Sequence, residues 1–143
     1  MILILPIDQN DGLAFNQRRQ SRDKVLCQRV LELAGGKPLL MHPRSARLFL
    51  DFDAPLLIAD DRFLAHARRG EYCFAEACFL PEDSPLLPRM EEAEKIILFR
   101  WDCVYPADVF LPRPLAELGW RLTAAREFAG SSHELITEEV YER

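Results

Sequence analysis

The sequence predicts an α/β domain with a largely parallel sheet that turns antiparallel near its C-terminus. Three observations carry that expectation. Apolar runs such as MILILPI and KIILFRW read as buried strands, amphipathic stretches at helical spacing fall between them, and turn residues punctuate the alternation. The 143 residues amount to one domain, large enough to bury roughly two-thirds of the unfolded chain's surface. With 49% apolar and 29% charged residues, the composition is that of an ordinary globular protein.

MILILPI is too short for a membrane span, lacks a basic leader region and meets Asp8, so it reads as a buried first strand. Asn10-Asp11-Gly12 signals a turn, and a polar, arginine-rich loop follows. Ser21 is placed as an N-cap with Asp23 in the first helical turn; Val25, Leu26, Val30 and Leu33 recur at helical spacing until Gly35-Gly36. LLM after Pro38 is a central strand, and Pro43 opens a short helix. PLLIADD reads as a strand, residues 61–70 as a helix from Asp61 to Gly70, and GEYCFAEACFL as a strand. PEDSPLLPRMEEAE is a loop or a short capped helix, KIILFRW the clearest strand, and DVFLP and WRLT are extended. Residues 130–143 are ambiguous. Ser131 and Glu134 suit a capping box, whereas Ile136, Glu138 and Val140 have the period of a strand.

A net charge of −5 and a pI near 5.2 argue against broad attraction to nucleic acid. Four cysteines without CxxC spacing read as reduced core thiols, and cytoplasm is the default location. The three histidines are too scattered for a zinc site, and no two lie within twenty residues, which excludes a His-x-His-x-Asp-His dinuclear nuclease. The aromatics Tyr72, Phe74, Phe99, Trp101 and Phe110 are assigned to the core.

The C-terminal third carries a resemblance. In EKIILFRWDCVYPADVFLP, residues 94–112, Arg100 leads after eight residues to Asp108-Val109-Phe110-Leu111-Pro112; the chain closes on EEVYER, and GKPLLM occupies residues 36–41. These segments, in this order, resemble the dihydrofolate reductase family, whose counterparts read Asp-Thr-Phe-Phe-Pro, Phe-Glu-Val-Tyr-Glu and Gly-Lys-Pro-Val-Ile-Met. The resemblance implies a three-layer domain with a central mixed, mostly parallel sheet of about eight strands and helices on both faces. It tips the terminal segment towards a strand.

That family places a carboxylate at the start of the first helix, where it hydrogen-bonds the pterin and helps protonate it. Asp23 is the match, and the resemblance makes it the catalytic candidate, as polar anchor or acid. The plain alternative is an aspartate that supports the helix N-terminus. Several positions depart from the family. Phe15 is the nearest aromatic to the missing first-loop tryptophan, and His42-Pro43-Arg44-Ser45 replaces Gly-Arg-x-Thr. The Gly-Gly turn that admits a pyrophosphate is replaced within Phe74-Ala75-Glu76-Ala77, and only Arg47 is available as a folate-tail arginine. The chain is also shorter than the usual enzyme, in the middle, where the adenosine end would bind. NADPH is therefore disfavoured, folate reduction is not expected, and the cofactor stays unassigned.

Arg18, Arg19 and Arg22, with Ser21, crowd the helix start beside Asp23 and suggest a site for a small anionic or phosphorylated ligand. Arg44 and Ser45 offer a second phosphate contact. The alternative is a solvated loop whose arginines pair with acids elsewhere. His133, after Gly130-Ser131-Ser132, is a further candidate. Neighbours in sequence make no triad unless nucleophile and base converge in space, so it reads as structural. The competing function is a noncatalytic interaction protein, dimeric through an exposed sheet edge or the C-terminal strand.

Overall fold

The computed structural model describes residues 1–81 and 85–143. Its spine is a seven-stranded sheet of β1 (Ile2–Ile7), β4 (Leu39–Met41), β5 (Leu57–Ala59), β6 (Tyr72–Phe74), β7 (Lys95–Trp101), β9 (Arg121–Phe128) and β10 (Ile136–Glu142), ordered β5-β4-β6-β1-β7-β10-β9. From β5 to β7 the neighbours are parallel, and β10 lies antiparallel between β7 and β9. A second, antiparallel sheet joins β2 (Gly12–Phe15), β3 (Arg18–Arg19) and β8 (Val109–Phe110), so in place of one sheet of about eight strands the described residues form one of seven and a separate one of three.

Alternation along β1 divides the core. Ile2 and Ile4 face the layer of helix α1 (Lys24–Ala34), with α2 (Pro43–Ala46) and the 3₁₀ turn Arg47–Phe49 beside it. Leu3, Leu5 and Ile7 face the opposite layer, where α3 (Phe63–His66) and α4 (Leu86–Glu92) contribute Phe63, Leu64, Leu86 and Met90. Helices therefore cover both faces. No described helix is long and apolar enough to cross a membrane.

Several expectations are corrected. The arginine-rich loop is a hairpin: Asn16 and Gln17 take positive φ (52° and 59°) and turn β2 back along β3, with Phe15 opposite Arg18. The N-cap of α1 is Asp23, not Ser21, because the Asp23 side chain accepts from Val25 and Leu26 N–H. The helix expected over 61–70 is one turn; Ala67 is already extended, and the chain must turn at Gly70 (φ 80°) to enter β6 beside β1. The strand expected from GEYCFAEACFL stops at Phe74 and gives way to a 3₁₀ turn, Ala77–Phe79. The loop-or-helix segment forms α4, with residues 82–84 outside the described residues. Residues 136–142, ambiguous by pattern, are strand, as the resemblance implied. Phe110 is 46% exposed rather than core, because β8 lies on the small sheet. The four cysteines are free; Cys27 and Cys73 are buried, while Cys78 and Cys103 are only half-buried.

Candidate functional site

The mouth of α1 is built by one carboxylate. Asp23 is extended (φ −157°, ψ 131°), and Oδ1 accepts from the N–H groups of Val25 (2.8 Å), Leu26 (3.2 Å) and Ser131 (3.1 Å). Oδ2 accepts from Ser132 N–H (2.8 Å) and His133 Nδ1 (3.2 Å). The β9–β10 loop is thereby folded onto the helix end. Gly130 makes that closure possible, since a Cβ there would collide with Asp23 Oδ2 and lie 2.9 Å from its Cγ. Burial pushes the Asp23 pKa up, but the N–H groups of Ser132 and Ser131, the His133 ring and Leu26 N–H outweigh it and lower the pKa from 3.8 to about 2. The side chain is therefore an ionised anchor at neutral pH, with its acceptor positions filled by the protein.

His133 is the second member. Its ring is buried and stacks on Trp101, centroids 4.4 Å apart at 24°. Because Nδ1 faces an ionised carboxylate, the bonding pattern assigns the proton of the neutral ring to Nδ1 and leaves Nε2 as acceptor. Nε2 lies 3.0 Å from Ser21 Oγ and 2.8 Å from the Tyr105 hydroxyl. Tyr105 is placed by a buried turn: Asp8 accepts from Asn10 and Gly12 N–H (2.8 Å each) through Oδ1, and from Gln20 Nε2 (2.8 Å) and Tyr105 N–H (3.1 Å) through Oδ2. Burial raises the pKa of the Tyr105 hydroxyl.

The arginines separate. Arg19 leaves the mouth and clamps the buried Glu76 with two bonds, Nε at 2.7 Å and Nη2 at 3.0 Å, which raises its own pKa. Ser45 Oγ donates to the same carboxylate at 2.7 Å. Arg22 stays, and with Lys24, Arg47, Asp51, Ser131 and Ser132 it lines an open cleft of about 560 Å³. Arg44 sits 5.9 Å over the Phe79 ring, against which His42 stacks at 5.1 Å, beside another open cleft of about 410 Å³. Arg18 is exposed on β3. Among the described residues, Arg18, Arg22, Lys24 and Arg47 form no ion pair, and no group of three or more His, Cys, Asp or Glu is placed to hold a metal ion.

Of the predicted set, Ser21, Arg22 and Asp23 thus meet at one site. Arg19 and Ser45 meet at Glu76, and Arg18 and Arg44 stand apart. Sequence reasoning missed Tyr105, Trp101 and Lys24, and it left His133 as structural. The Gly-Ser-Ser-His run was a signal, but its partner Ser21 lies 112 positions away. The carboxylate of Glu76, held by Arg19 and Ser45, stands just beyond β6 where the resemblance expects two glycines. A dinucleotide pyrophosphate does not fit that donor set.

No protein-family model matches the chain, and no curated protein matches it in sequence. Among solved structures, dihydrofolate reductase from Enterococcus faecalis, complexed with NADP(H) and RAB-propyl, matches with a TM-score of 0.61. The match spans 99% of this chain and 95% of that one at 13% sequence identity. The chain has the dihydrofolate reductase fold, as the three quoted segments implied, and identity this low speaks to fold alone.

Proposed function

We propose that this chain binds a small anionic ligand, a phosphate or carboxylate compound, in the cleft at the mouth of α1. One observation carries the reading. In a protein of net charge −5, Arg22, Lys24 and Arg47 ring a 560 Å³ opening without ion-pair partners among the described residues. Cations left unpaired beside a concave surface favour an anionic guest, and the arginine forks suit phosphate or carboxylate geometry. Ser131 and Ser132 supply hydroxyls at the same wall. Asp23 anchors the frame, while Arg44 with His42 over Phe79 borders a separate cleft and is not part of this site. Arg19 and Ser45 act indirectly, by fixing Glu76. Folate reduction with NADPH is not part of this reading.

The test is a thermal-shift screen against nicotinamide dinucleotides, folates, nucleotides and sugar phosphates, followed by calorimetry. A ligand at a hundred times its Kd adds about 2.7 kcal/mol of stability, a readily measured shift. Arg22→Ala/Arg47→Ala should weaken the hit at least tenfold. A hit of unchanged affinity in that variant, or no hit at all, rejects the site.

A second reading, an interaction protein that pairs with itself, has its own observation. The edge strand β9 is exposed along almost its whole length. Antiparallel pairing of two copies centred on Ala124 would set each Arg121 opposite the partner copy's Glu127, a complementary register worth about 0.2–1 kcal/mol per charge pair. Sedimentation that shows a monomer at high micromolar concentration rejects it.

A further inference from the structure

We propose that Ser21, His133 and Asp23 form a nucleophilic relay that hydrolyses esters of small acyl groups. The fold brings His133 to Ser21 and Asp23, 112 and 110 positions away, in the order such a relay requires. Ser21 Oγ lies 3.0 Å from His133 Nε2, and His133 Nδ1 lies 3.2 Å from Asp23 Oδ2. A base within hydrogen-bond reach of a hydroxyl, and oriented by an ionised carboxylate behind it, is the arrangement that makes serine a nucleophile. Chain order is irrelevant to it; spatial convergence is what counts.

Burial is graded in the useful direction. The Asp23 and His133 side chains are sealed, at 0% and 4% exposure, whereas Ser21 is only half-buried at the lip. The carboxylate is held as an anion by N–H groups that do not touch the histidine, and Trp101 fixes the imidazole plane. Ser21 also borders a recess of about 10 Å³ walled by Pro6, Leu26, Leu48, Phe74 and Trp101, with Glu76, whose carboxylate is already held by Arg19 and Ser45, in the same wall. That volume admits a group about the size of one water molecule, so it takes no more than the methyl end of an acetyl group and the acyl portion is small. The recess shares Arg22, Asp23, Cys27 and Leu48 with the larger cleft, which gives the alcohol portion room and leaves Arg22 as the cation available to the developing oxyanion.

The electron count closes with water alone. Ser21 Oγ bonds to the acyl carbon as its proton passes to His133 Nε2. The carbon–oxygen bond to the alcohol breaks, and the alcohol leaves with that proton. Water then attacks the acyl-serine, gives a proton to Nε2, and serine recovers it as the carboxylic acid departs. Tyr105 sets a distinctive signature. Its hydroxyl lies 2.8 Å from the same Nε2 and 3.4 Å from Ser21 Oγ, so it competes for the base in the resting protein.

The inference rests on the anion-cleft reading only for the seat of the alcohol portion, and an uncharged probe separates the two. The intact protein is treated with an ethyl fluorophosphonate and mapped by mass spectrometry, with p-nitrophenyl acetate hydrolysis measured in parallel. One adduct at Ser21 is expected. Ser21→Ala should abolish it, His133→Gln should slow it at least ~100-fold, and Tyr105→Phe should accelerate it several-fold by freeing Nε2. Circular dichroism confirms that each variant is folded. Should His133→Gln unfold, Ser21→Ala and Tyr105→Phe still decide, since each removes only a hydroxyl. No adduct at Ser21 in the folded wild type, or labelling unchanged in Tyr105→Phe, overturns the relay whether or not the anion screen succeeds.

Discussion

Asp23→Asn should destabilise the fold at neutral pH, and the penalty should shrink on acidification. The carboxylate pKa is 3.8 in the ordinary case and about 2 here, because the cost of burial is overcome by the N–H groups of Ser132 and Ser131, the His133 ring and Leu26 N–H. A carboxyl depressed in the folded state contributes its full stability above the unfolded value. It loses that contribution as pH falls through the folded value. The gap corresponds to about 2 kcal/mol at pH 7, of which roughly half is gone by pH 3. Asparagine keeps one acceptor and turns an amide donor towards N–H groups that need acceptors, which adds about 1 kcal/mol. Urea unfolding of both proteins at pH 7, 5 and 3 measures the difference. Since asparagine does not titrate, the gap between the two should be about 3 kcal/mol at pH 7 and narrow by about 1 kcal/mol at pH 3. A gap independent of pH would show that the Asp23 charge is not what holds the helix mouth to the β9–β10 loop.

Two further outcomes follow from the same packing. Gly130→Ala should cost about 2 kcal/mol or more, because the new methyl group meets Asp23 and the loop must lift away from α1; an unchanged urea midpoint would contradict the close approach. Burial pushes the Cys27, Cys73 and Cys78 thiols up to about 12, so these three should resist alkylation at pH 8 in the native state and react fully in denaturant. Mass spectrometry after iodoacetamide distinguishes them, and fast native labelling of Cys27 or Cys73 would refute their placement.

The strands that bury both faces were legible because an apolar run leaves little room for another reading: MILILPI and KIILFRW became β1 and β7. The end of α1 was legible too, since Gly35 takes positive φ at its cap. Elsewhere tertiary partners hid the local signal. Glu138 looks like a surface residue but is buried against Arg29, whose Nε and Nη2 donate to it at 2.6 and 3.1 Å, so the inward alternation of β10 was masked by a charge. The β2–β3 hairpin lacked the Asn-Gly that announces such turns. Ser21 and Asp23 were both good caps by residue type. What decided between them was that His133 engages the Ser21 hydroxyl while the loop before it closes on Asp23, which no local rule contains. Asp23 and Arg22 could be read as candidate site residues from one stretch; Tyr105 and His133 join them only through the long-range topology.

The crowding of arginines in an acidic chain now has a divided answer, and it makes a last prediction. Arg19 neutralises a buried carboxylate, while Arg22 faces the open cleft. Glu76 is almost fully buried and the Arg19 side chain is 26% exposed, so the two members of the pair are not equivalent. Removing the cation in Arg19→Met strands a buried charge with only the Ser45 hydroxyl, which should cost about 3–5 kcal/mol. Removing the charge in Glu76→Gln leaves a guanidinium that can reach water, and it should cost less, about 1–2 kcal/mol. The double variant retains the Ser45 hydrogen bond and has no stranded ion, so it should fall short of the summed single costs by roughly 2 kcal/mol. Urea midpoints for the four proteins complete the cycle. Additive costs would mean that Arg19 is held by something other than Glu76, which would return it to the pool of cations free to meet a ligand.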